Sequence, residues 1–427
     1  MDKPIQIGVL GLGTVGCGVL KVLEENAVLI ASRSGAPVRV KKVAVRNPGR
    51  PRSINVPQTL LTTRPEDIWE DPEISVVVEV IGGVRPAKEF ILSSLRAGKS
   101  VVTANKEVIA KHGSELLEEA LRHNVNLLFE GAVGGGIPIL HPIKECLTAN
   151  RIEEVFGIVN GTTNYILTKM MEEQRPFGEV LEEAKARGFA ESDPSADIKG
   201  YDASYKAAIL ATLAFEAKLQ WSDVYFEGIS RVTLEDMHNA RDMGYTIKLL
   251  AIIKRTGAGL EVRVHPTFIP VSHPLAAVSA NYNAIFVRGN AVGELMFYGP
   301  GAGSLPTASA VVGDVIDIIR HNANPGGLLM RNPLVRMEVK PIDEVVSRFY
   351  LRLRVPNRPG ILGLLATIFG KNDISIEAVH QKESEGEYTQ LVIIVHQVEE
   401  MKIRKALDTI GTTDPDIELA SLIRVGF

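Results

Sequence analysis

The sequence IQIGVLGLGTVG at residues 5–16 decides the fold of the first part of the chain. Its apolar run ends in the glycine pattern GxGxxG, and apolar residues at helical spacing follow, which predicts a strand, a tight turn and a helix. The first glycine permits the turn, the second lets the backbone approach a pyrophosphate, and the third lets helix and strand pack closely. A flexible glycine turn is the alternative, but the position between strand and helix favours a dinucleotide site. This site is predicted to include Gly11, Gly13, Thr14, Val15 and Gly16.

The end of the second predicted strand, residues 38–45, indicates which dinucleotide binds. Enzymes that use NAD usually carry an acidic residue there, which binds the ribose hydroxyls, whereas an arginine accommodates a 2′-phosphate. This chain has Arg46 at that position, with Arg50 and Arg52 close behind. The sequence therefore favours NADP, with NAD as the other cofactor it allows. The alternative is that these arginines lie on a solvated loop.

Strands and helices continue to alternate along the first part of the chain. The predicted strands are residues 75–81, 100–103 and 125–129, and a predicted helix is residues 86–97. This alternation is typical of a parallel, doubly wound sheet of Rossmann type, in which ligands bind beyond the carboxyl ends of the strands. Thr103 and Lys106 follow a strand directly and are therefore candidate site residues. Lys106 could equally be an exposed lysine at the start of a helix.

The glycine-rich segment EGAVGGGIP at residues 130–138 ends the parallel pattern and marks a domain junction. Its carbonyl groups could face a hard cation, although the same composition suits an ordinary hinge. We therefore place a dinucleotide-binding domain at residues 1–135 and a second domain at residues 136–299. The second domain contains consecutive strands without crossover helices, which predicts a mixed α+β fold.

The densest chemistry lies in residues 188–206, with the sequence GFAESDPSADIKGYDASYK. The segment lacks the glycine and the final glutamate that a calcium-binding EF-hand loop needs. Asp202 and Lys206 are four residues apart at the start of a predicted helix, so they share one face. Several carboxylates and a lysine can thus converge on one pocket. The alternative is a solvated acidic loop with an ion pair inside the helix.

The last part of the chain changes pattern. A glycine turn at residues 299–304 leads into a helix over residues 307–320, and we expect residues 300–325 to complete the dinucleotide-binding domain. Residues 326–347 are a predicted linker. Residues 348–427 show the order βαββαβ, which is the ferredoxin-like split βαβ unit.

Composition and charge exclude several classes of function. Lys and Arg number 47 against 51 Asp and Glu, a net charge of −4, so the chain lacks the basic excess that nucleic-acid binding requires. No apolar run reaches the roughly 18 residues that a membrane span needs. Two cysteines offer neither a disulfide framework nor paired zinc ligands, and no leader-like segment precedes the first strand. We therefore expect a cytoplasmic protein without nucleic-acid or membrane partners.

Four motifs together resemble homoserine dehydrogenase of the monofunctional bacterial form, which carries a C-terminal ACT domain. They are residues 11–16, 103–107, 160–167 and 191–206. The turn at residues 355–362, between the first strand and first helix of the βαββαβ unit, resembles the ligand-binding turn of ACT domains. The resemblance spans essentially the whole chain.

This resemblance implies an activity and two catalytic residues. The activity is the NAD(P)H-dependent interconversion of L-aspartate 4-semialdehyde and L-homoserine, in the biosynthesis of threonine, methionine and isoleucine. Lys206 is implied to exchange a proton with the reacting oxygen, and Lys106 to lie near the nicotinamide and the substrate. Burial and Lys106 would lower the pKa of Lys206, whereas Asp202 would raise it.

The same resemblance implies the remaining site residues. The substrate-binding residues are Glu191, Asp202 and Asp197. The further cofactor contacts are Gly188 and Gly303, besides Thr103 and Lys106. A monovalent cation, implied to be sodium, is held by Glu130, Val133, Gly135 and Ile137. Threonine is the implied effector, and its binding residues are Asn357, Gly360, Ile361 and Leu362.

The C-terminal unit also carries expectations about assembly and regulation. ACT domains commonly pair side by side, so we expect a homodimer or a homotetramer. Deletion of residues 348–427 removes none of the proposed catalytic groups. The sequence therefore predicts that a truncated chain stays active and loses any inhibition by threonine.

Two other functions are compatible with the sequence. One is a phosphorylating semialdehyde dehydrogenase that acts through a thiohemiacetal, with Cys146 as its nucleophile. The other is a non-catalytic sensor that binds NADP and an amino acid without turnover.

Overall fold

A computed structural model describes residues 4–257, 259–321, 335–381 and 386–426 of the chain. Residues 322–325 of the predicted first domain and residues 326–334 of the predicted linker lie outside the described residues. No helix in the described part is both long and apolar enough to cross a bilayer.

The described residues form a series of helices and strands that includes elements beyond those predicted from the sequence. The helices are α1 (Thr14–Glu25), α2 (Ala27–Ser34), α3 (Glu66–Trp69), α4 (Ala87–Arg96), α5 (Lys106–Arg122), α6 (Gly161–Glu173), α7 (Phe177–Ala186), α8 (Ser195–Ile198), α9 (Tyr201–Ala214), α10 (Leu234–Asp242), α11 (Ser304–His321), α12 (Ile361–Lys371) and α13 (Glu400–Thr413). The strands are β1 (Ile5–Leu10), β2 (Val38–Ala44), β3 (Leu61–Thr62), β4 (Ile74–Glu79), β5 (Ser100–Thr103), β6 (Leu127–Leu128), β7 (Ile152–Ile158), β8 (Ala217–Lys218), β9 (Tyr225–Phe226), β10 (Tyr245–Thr256), β11 (Gly259–Pro270), β12 (Tyr282–Gly289), β13 (Gly293–Pro300), β14 (Val335–Arg336), β15 (Val346–Pro356), β16 (Ile376–Gln381), β17 (Tyr388–Glu399) and β18 (Glu418–Val425).

The fold divides into two compact units. The first is formed by the described residues within 1–161, 202–224 and 282–337, and the second by those within 162–201, 225–281 and 338–427. The domain boundaries predicted at residues 135, 299 and 348 stay predictions.

A six-stranded parallel sheet dominates the first unit. Its strand order is β3-β2-β1-β4-β5-β6, and the neighbouring strands pair in parallel. This is the order of a dinucleotide-binding Rossmann sheet, in which the chain reverses direction of winding between β1 and β4 and leaves a crevice at their carboxyl ends. The predicted doubly wound fold is therefore confirmed. The predicted strand at residues 125–129 forms only over Leu127–Leu128.

The fingerprint glycines have distinct physical roles. Gly11 has a φ of +101°, and a Cβ on it would lie 2.9 Å from the carbonyl oxygen of Val80. A Cβ on Gly16 would lie 2.4 Å from the carbonyl oxygen of Gly11, so helix α1 packs closely against the turn. A Cβ on Gly13 would meet no described atom within 4 Å, so its side faces open space. Two glycines therefore shape the turn, and the space beside the third is open to a ligand.

Helix α11 packs against helix α1 within the first unit. A Cβ on Gly18 would lie 2.5 Å from the carbonyl oxygen of Ser304, and the Ser304 hydroxyl donates to the carbonyl of Thr14 at 2.8 Å. The glycine turn before α11 thus lies beside the fingerprint turn. Strands β7, β12 and β13 form an antiparallel group in the same unit, with β12 in the centre.

The second unit contains a mixed sheet in the order β10-β11-β18-β15-β17-β16, with β9 alongside β11. Strands β10 and β11 pair over their full length as an antiparallel ribbon, as their uninterrupted succession predicts. Strand β9 is limited to Tyr225–Phe226, and the Ile229 N–H beyond it donates to the Ile198 carbonyl instead of to a strand. A Cβ on Gly228 would lie 1.9 Å from that same carbonyl oxygen.

The C-terminal βαββαβ pattern is confirmed as β15-α12-β16-β17-α13-β18. Its apolar core includes alternate residues of β15, namely Leu351, Leu353 and Val355, which pack with Leu365 of α12 and Ile403 of α13. This alternation is expected of a sheet that has helices on one face only.

Strand β18 pairs in parallel with β11 through Thr267–Arg424 and Phe268–Val425, so the C-terminal unit continues the sheet of the middle segment. Arg352 of β15 donates to the buried Asp236 carboxylate at 2.9 Å. Deletion of residues 348–427 would leave Asp236 without that guanidinium, and breaking a buried ion pair typically costs about 3 to 5 kcal/mol. Truncation would therefore lower the stability of the second unit, and the expectation that a truncated chain keeps its activity stays a prediction.

Candidate active site

A buried acid and a buried lysine face each other on the first turns of helix α9. Asp202 Oδ2 accepts a hydrogen bond from Lys206 Nζ at 2.8 Å, as their spacing of four residues predicts. Lys206 Nζ also donates to the carbonyl oxygen of Val159 at 2.6 Å, just after strand β7 ends. Only 3% of Asp202 and 6% of Lys206 are exposed, so neither charge is solvated by bulk water. Such a pair persists only when both groups have well-placed partners.

A second lysine completes the cluster from another element. Lys106 is the first residue of helix α5, directly after strand β5, and its Nζ forms an ion pair with Asp202 Oδ1. The Lys106 side chain is 44% exposed, against 8% for the Lys206 side chain. One carboxylate thus joins a buried lysine to a lysine that reaches solvent. Lys106, Asp202 and Lys206 are thus in contact through one carboxylate, whereas the predicted convergence of several carboxylates on this pocket stays a prediction.

The charge balance of this cluster suits an anionic reaction partner. Burial by itself would raise the pKa of the Asp202 carboxyl, but Lys106 and Lys206 outweigh burial and hold that pKa below its ordinary value. Asp202 is therefore a carboxylate at neutral pH. With both lysines protonated, the cluster carries one more positive than negative charge, and it can stabilise a developing alkoxide.

Asn160, the first residue of the motif at residues 160–167, is a fourth member of the cluster, to which the sequence assigned no role. Its side-chain Nδ2 donates to Asp202 Oδ2 at 2.9 Å, and Asn160 itself is buried. The signal in the sequence was its position two residues after the end of strand β7, much as Lys106 lies three residues after the end of β5. Because Asn160 can donate to Asp202 whatever the state of the lysines, it fixes the orientation of the carboxylate.

The other proposed substrate residues lie in the second unit. Glu191 is exposed and follows helix α7, and Asp197 is half-buried in the short helix α8. Gly188 has a φ of +73°, at which a side chain would be strained. The roles of these three residues in binding stay predictions.

The dinucleotide turn is accessible. Gly13 and Thr14 are exposed at the start of α1, and Gly13, as the N-cap residue, has no side chain to accept from the first-turn N–H groups. These N–H groups, at the positive end of the helix dipole, are the donors that a pyrophosphate uses. Gly303, with a φ of +133°, precedes α11.

Arg46 is exposed just after strand β2, as expected for a residue that reads the adenosine ribose. Arg52 has a different role, because its guanidinium donates to the carbonyl groups of Asn47, Pro48 and Arg50 at 2.7, 2.9 and 2.8 Å. Arg52 therefore organises the loop that follows Arg46.

Thr103 is fully buried at the end of β5, and its hydroxyl donates to the carboxylate of Glu79 at 2.6 Å. The same hydroxyl accepts from the backbone N–H of Asn105 at 3.0 Å. Because the Thr103 hydroxyl is used inside the protein, a contact between Thr103 and a cofactor would involve its backbone.

The predicted cation segment surrounds a buried carboxylate. Glu130 accepts hydrogen bonds from the backbone N–H groups of Ile139, Leu140 and His141, at 2.5, 2.9 and 2.7 Å. Its own N–H donates to Asp314 at 2.9 Å. Burial raises the pKa of both carboxyls, and that of Asp314 rises further because Glu130 is close. A cation beside these carboxyls would favour their ionised forms.

The backbone geometry at the segment is compatible with a carbonyl-lined site. Gly135 has a φ of +58°, and a Cβ on it would lie 2.5 Å from the Gly301 carbonyl oxygen. Within the described ranges, no group of three or more His, Cys, Asp or Glu side chains is arranged to hold a metal. A cation at residues 130–137 would therefore depend on carbonyl oxygens, which suits a hard monovalent ion.

Comparison with known proteins agrees with this geometry. Residues 11–130 match the family described as "Homoserine dehydrogenase, NAD binding domain", residues 138–316 match "Homoserine dehydrogenase", and residues 349–412 match "ACT domain". A relative named homoserine dehydrogenase from Bacillus subtilis is 41% identical over 426 residues, which cover 99% of this chain and 98% of that protein. The chain belongs to the homoserine dehydrogenase family.

Solved structures of the family support the fold. A homoserine dehydrogenase from Thiobacillus denitrificans, 43% identical, superposes with a TM-score of 0.93 over 99% of this chain and 98% of that one. A hyperthermophilic archaeal homoserine dehydrogenase in complex with NADPH, 28% identical, has a TM-score of 0.62 over 74% of this chain and 98% of that one. As a family member, the chain is an NAD(P)-dependent oxidoreductase with homoserine dehydrogenase activity and an ACT domain.

Proposed function

We propose that the chain interconverts L-aspartate 4-semialdehyde and L-homoserine with NADP as its preferred cofactor, and that Lys206 exchanges the proton. A bound nicotinamide supplies or accepts the hydride at the terminal carbon of the substrate. The residues that fit this cofactor are the exposed fingerprint turn at Gly13 and Thr14 and the exposed Arg46. The observation that carries the proposal is the single buried carboxylate, Asp202, shared by two lysines.

The proton transfer follows from where Lys206 is held. When the aldehyde is reduced, the Lys206 ammonium gives a proton to the oxygen that becomes the hydroxyl. In the reverse direction, the neutral amine takes that proton from homoserine. Asp202 and the Val159 carbonyl hold Lys206 Nζ in one orientation, at 2.8 and 2.6 Å, so little reorganisation is needed at the moment of transfer. Lys106 adds positive charge where the alkoxide forms.

The acidic segment supplies the substrate contacts in this proposal. The substrate carries an ammonium group, and Glu191, Asp197 and Asp202 lie within twelve sequence positions of one another (202 − 191 + 1). Carboxylates are the side chains that pair with an ammonium group most strongly. We therefore assign the amino-acid end of the substrate to this segment and its aldehyde end to Lys206.

Replacement of the shared carboxylate tests this arrangement. Asp202→Asn should lower kcat/KM for L-aspartate 4-semialdehyde by about 10²- to 10³-fold, because it removes the charge that holds both lysines. The Kd for NADPH, measured by its fluorescence, should change little. Asp193→Asn, at an exposed acid of the same segment, is the matched control and should behave as the parent chain does. Equal losses in the two variants would mean that general acidity of the segment, and not the cluster, supports the activity.

A monovalent cation, sodium by family resemblance, is proposed at Glu130, Val133, Gly135 and Ile137. Support comes from the two buried carboxylates of Glu130 and Asp314 and from the left-handed backbone at Gly135. With its carboxylate held by three backbone N–H groups, Glu130 is rigid, and the cation would fix the glycine segment around it. Its function is thus structural in this proposal, and the proton transfer does not pass through it.

The ACT domain is proposed to bind threonine at Asn357, Gly360, Ile361 and Leu362, and to join subunits into a homodimer or homotetramer. Gly360 has a φ of +95° and is the N-cap residue of helix α12. The backbone N–H groups at the start of α12 therefore face the turn at residues 355–362. Asn357 is held by the neighbouring hairpin, since its N–H donates to the Glu387 carbonyl at 2.8 Å. Backbone donors at a helix start suit the carboxylate of an amino acid.

Threonine sensing is tested on the full chain, because truncation would expose the edge of β11. Asn357→Ala should weaken threonine inhibition by about 5- to 150-fold, which is the usual range of allosteric coupling. Thr367→Ala, at an exposed position of α12, should leave inhibition unchanged. Rate measurements and calorimetric titration with threonine give the two readouts. If threonine neither binds the full chain nor changes its rate, the proposed effector is wrong, and titration with other amino acids identifies what the domain senses.

A further inference from the structure

One buried carboxylate at the cofactor edge of the parallel sheet is not used by the mechanism above. Glu79 is the last residue of strand β4 and is fully buried, with 0% of its surface exposed. It follows three buried valines, so an acid ends an otherwise apolar central strand. Burying an ionised carboxylate is costly unless hydrogen bonds replace its hydration. Its partners therefore indicate why the position is acidic.

Within the described part of the chain, the hydrogen-bond partners of the Glu79 side chain are donors. Oε1 accepts from the Ile81 N–H at 2.7 Å, and Oε2 accepts from the Thr103 hydroxyl at 2.6 Å. The Gly82 N–H and the Asn105 side chain also lower the pKa of this carboxyl. The Thr103 hydroxyl accepts from the Asn105 N–H, so its own proton is directed at Glu79. Burial raises the pKa of Glu79, whereas these four groups oppose that rise and favour the carboxylate.

The donors come from two segments that the carboxylate joins. One is the loop after β4, where Gly82 and Gly83 have left-handed backbones with φ of +86° and +71°. The other is the turn between β5 and α5. Asn105 links these two segments. Its Nδ2 donates to the Gly83 carbonyl at 2.8 Å, and its Oδ1, as the N-cap of α5, accepts from the Val108 N–H at 3.3 Å.

The position of Lys106 depends on this network. Lys106 is the first residue of α5 and directly follows Asn105, and its Nζ reaches Asp202. A shift of the β5–α5 turn would therefore move Lys106 away from the carboxylate that it shares with Lys206. A misplacement of about 1 Å in an active site can lower the rate by about 100-fold.

We propose that Glu79 is a positioning residue of the active site: its carboxylate fixes the loop at residues 81–83 and the β5–α5 turn, and thereby holds Lys106 against Asp202. The inference rests on the role given to Lys106 in the proposed function. Glu79 itself touches neither the substrate nor the reacting oxygen in this account. It acts through Lys106, and this dependence can be measured.

A double-mutant cycle on the full chain tests the dependence. Glu79→Gln keeps the shape but presents an amide NH₂ to groups that are themselves donors, so the network loses at least one bond. We expect Glu79→Gln to lower kcat for L-aspartate 4-semialdehyde with NADPH by about 10- to 100-fold. In the Lys106→Met background, the same change should lower kcat by less than about 3-fold, because residues that act as a unit are not additive.

The outcomes separate the inference from the proposed function. If both single variants are slow and their losses multiply, Glu79 does not act through Lys106 and the inference is overturned, while the proposed function stands. If Lys106→Met alone turns over normally, the role of Lys106 in the proposed function fails, and the inference fails with it. Non-additive losses support both.

A second pair of variants keeps the test decisive if Glu79→Gln fails to fold. Thr103→Val removes the hydroxyl that bonds Glu79 without changing volume, and Thr103→Ser restores it. We expect Thr103→Val to reproduce the Glu79→Gln loss in kcat and Thr103→Ser to recover most of it. Equal rates for the two would contradict the inference. Glu115→Gln, at an exposed acid of α5, is the control and should keep the parent rate and melting temperature.

Discussion

Lys206→Met should lower kcat for L-aspartate 4-semialdehyde by about 10²- to 10⁴-fold, the range that a general acid or base usually contributes. The substitution removes the proton donor but fills a similar volume in its buried site. Asp202 keeps the Lys106 ion pair and the Asn160 hydrogen bond, so the remaining carboxylate is not left without partners. We therefore expect the variant to fold and to bind NADPH with nearly the parent Kd.

The matched control is Lys218→Met, at a lysine of the same unit that pairs with Glu118 on the surface. Its turnover should equal that of the parent chain, because exposed ion pairs contribute little. If Lys206→Met retained near-normal turnover, the proton would have to pass through another group, and Lys106, on the other side of Asp202, would be the candidate. Stopped-flow measurement of NADPH oxidation in a single turnover would separate a slow chemical step from slow product release.

Arg46→Asp should weaken NADPH binding relative to NADH by about 100- to 1,000-fold. The change removes a charge-assisted contact to the 2′-phosphate, worth roughly 1.5 to 3 kcal/mol, and places a like charge beside it. Because Arg52 is engaged with the loop carbonyls, it offers no guanidinium to replace Arg46 without rearranging the loop.

Arg39→Asp is the appropriate comparison for this switch. Arg39 is exposed on the same strand β2, so the substitution makes the same change of charge at a distance from the strand end. It should alter the two cofactor affinities equally and only slightly. Dissociation constants for NADPH and NADH, measured by fluorescence for both variants, give the ratio. If Arg46→Asp left the ratio of the NADPH and NADH dissociation constants unchanged, Arg46 would not bind the 2′-phosphate, and the arginines would simply lie on a solvated loop.

Local patterns in the sequence were sufficient for much of the fold. The fingerprint at residues 5–16 predicted β1, the turn and α1, and the alternation after it predicted the parallel sheet. The βαββαβ order of the last segment was also predictable, because the apolar residues of each element recur with the period of a strand or of a helix. The parallel pairing of β18 with β11 was not predictable. These strands are far apart in the chain, and no local sequence pattern specifies which strand edges pair.

The candidate site was likewise predictable only in part. The contact between Asp202 and Lys206 follows from helix geometry, because residues four apart share a face. The contact of Lys106 with Asp202 depends on how β5 and α9 are brought together, and helical spacing alone could not give it. No role was assigned to Asn160 or Glu79 for a related reason: Asn160 lies just after β7 and Glu79 ends β4, but only the three-dimensional structure shows which carboxylate or donor lies opposite each of them.

The central claim is tested most directly by mixing the purified full chain with NADPH and L-aspartate 4-semialdehyde, and by following NADPH absorbance while homoserine is identified by mass. We expect NADPH oxidation that needs the semialdehyde, yields one L-homoserine for each NADPH, proceeds without added phosphate and persists in a Cys146→Ser variant. We also expect Lys206→Met to abolish most of that rate. NADPH binding with no oxidation at all, or reduction of NADP+ by the semialdehyde that requires phosphate and Cys146, would contradict this expectation.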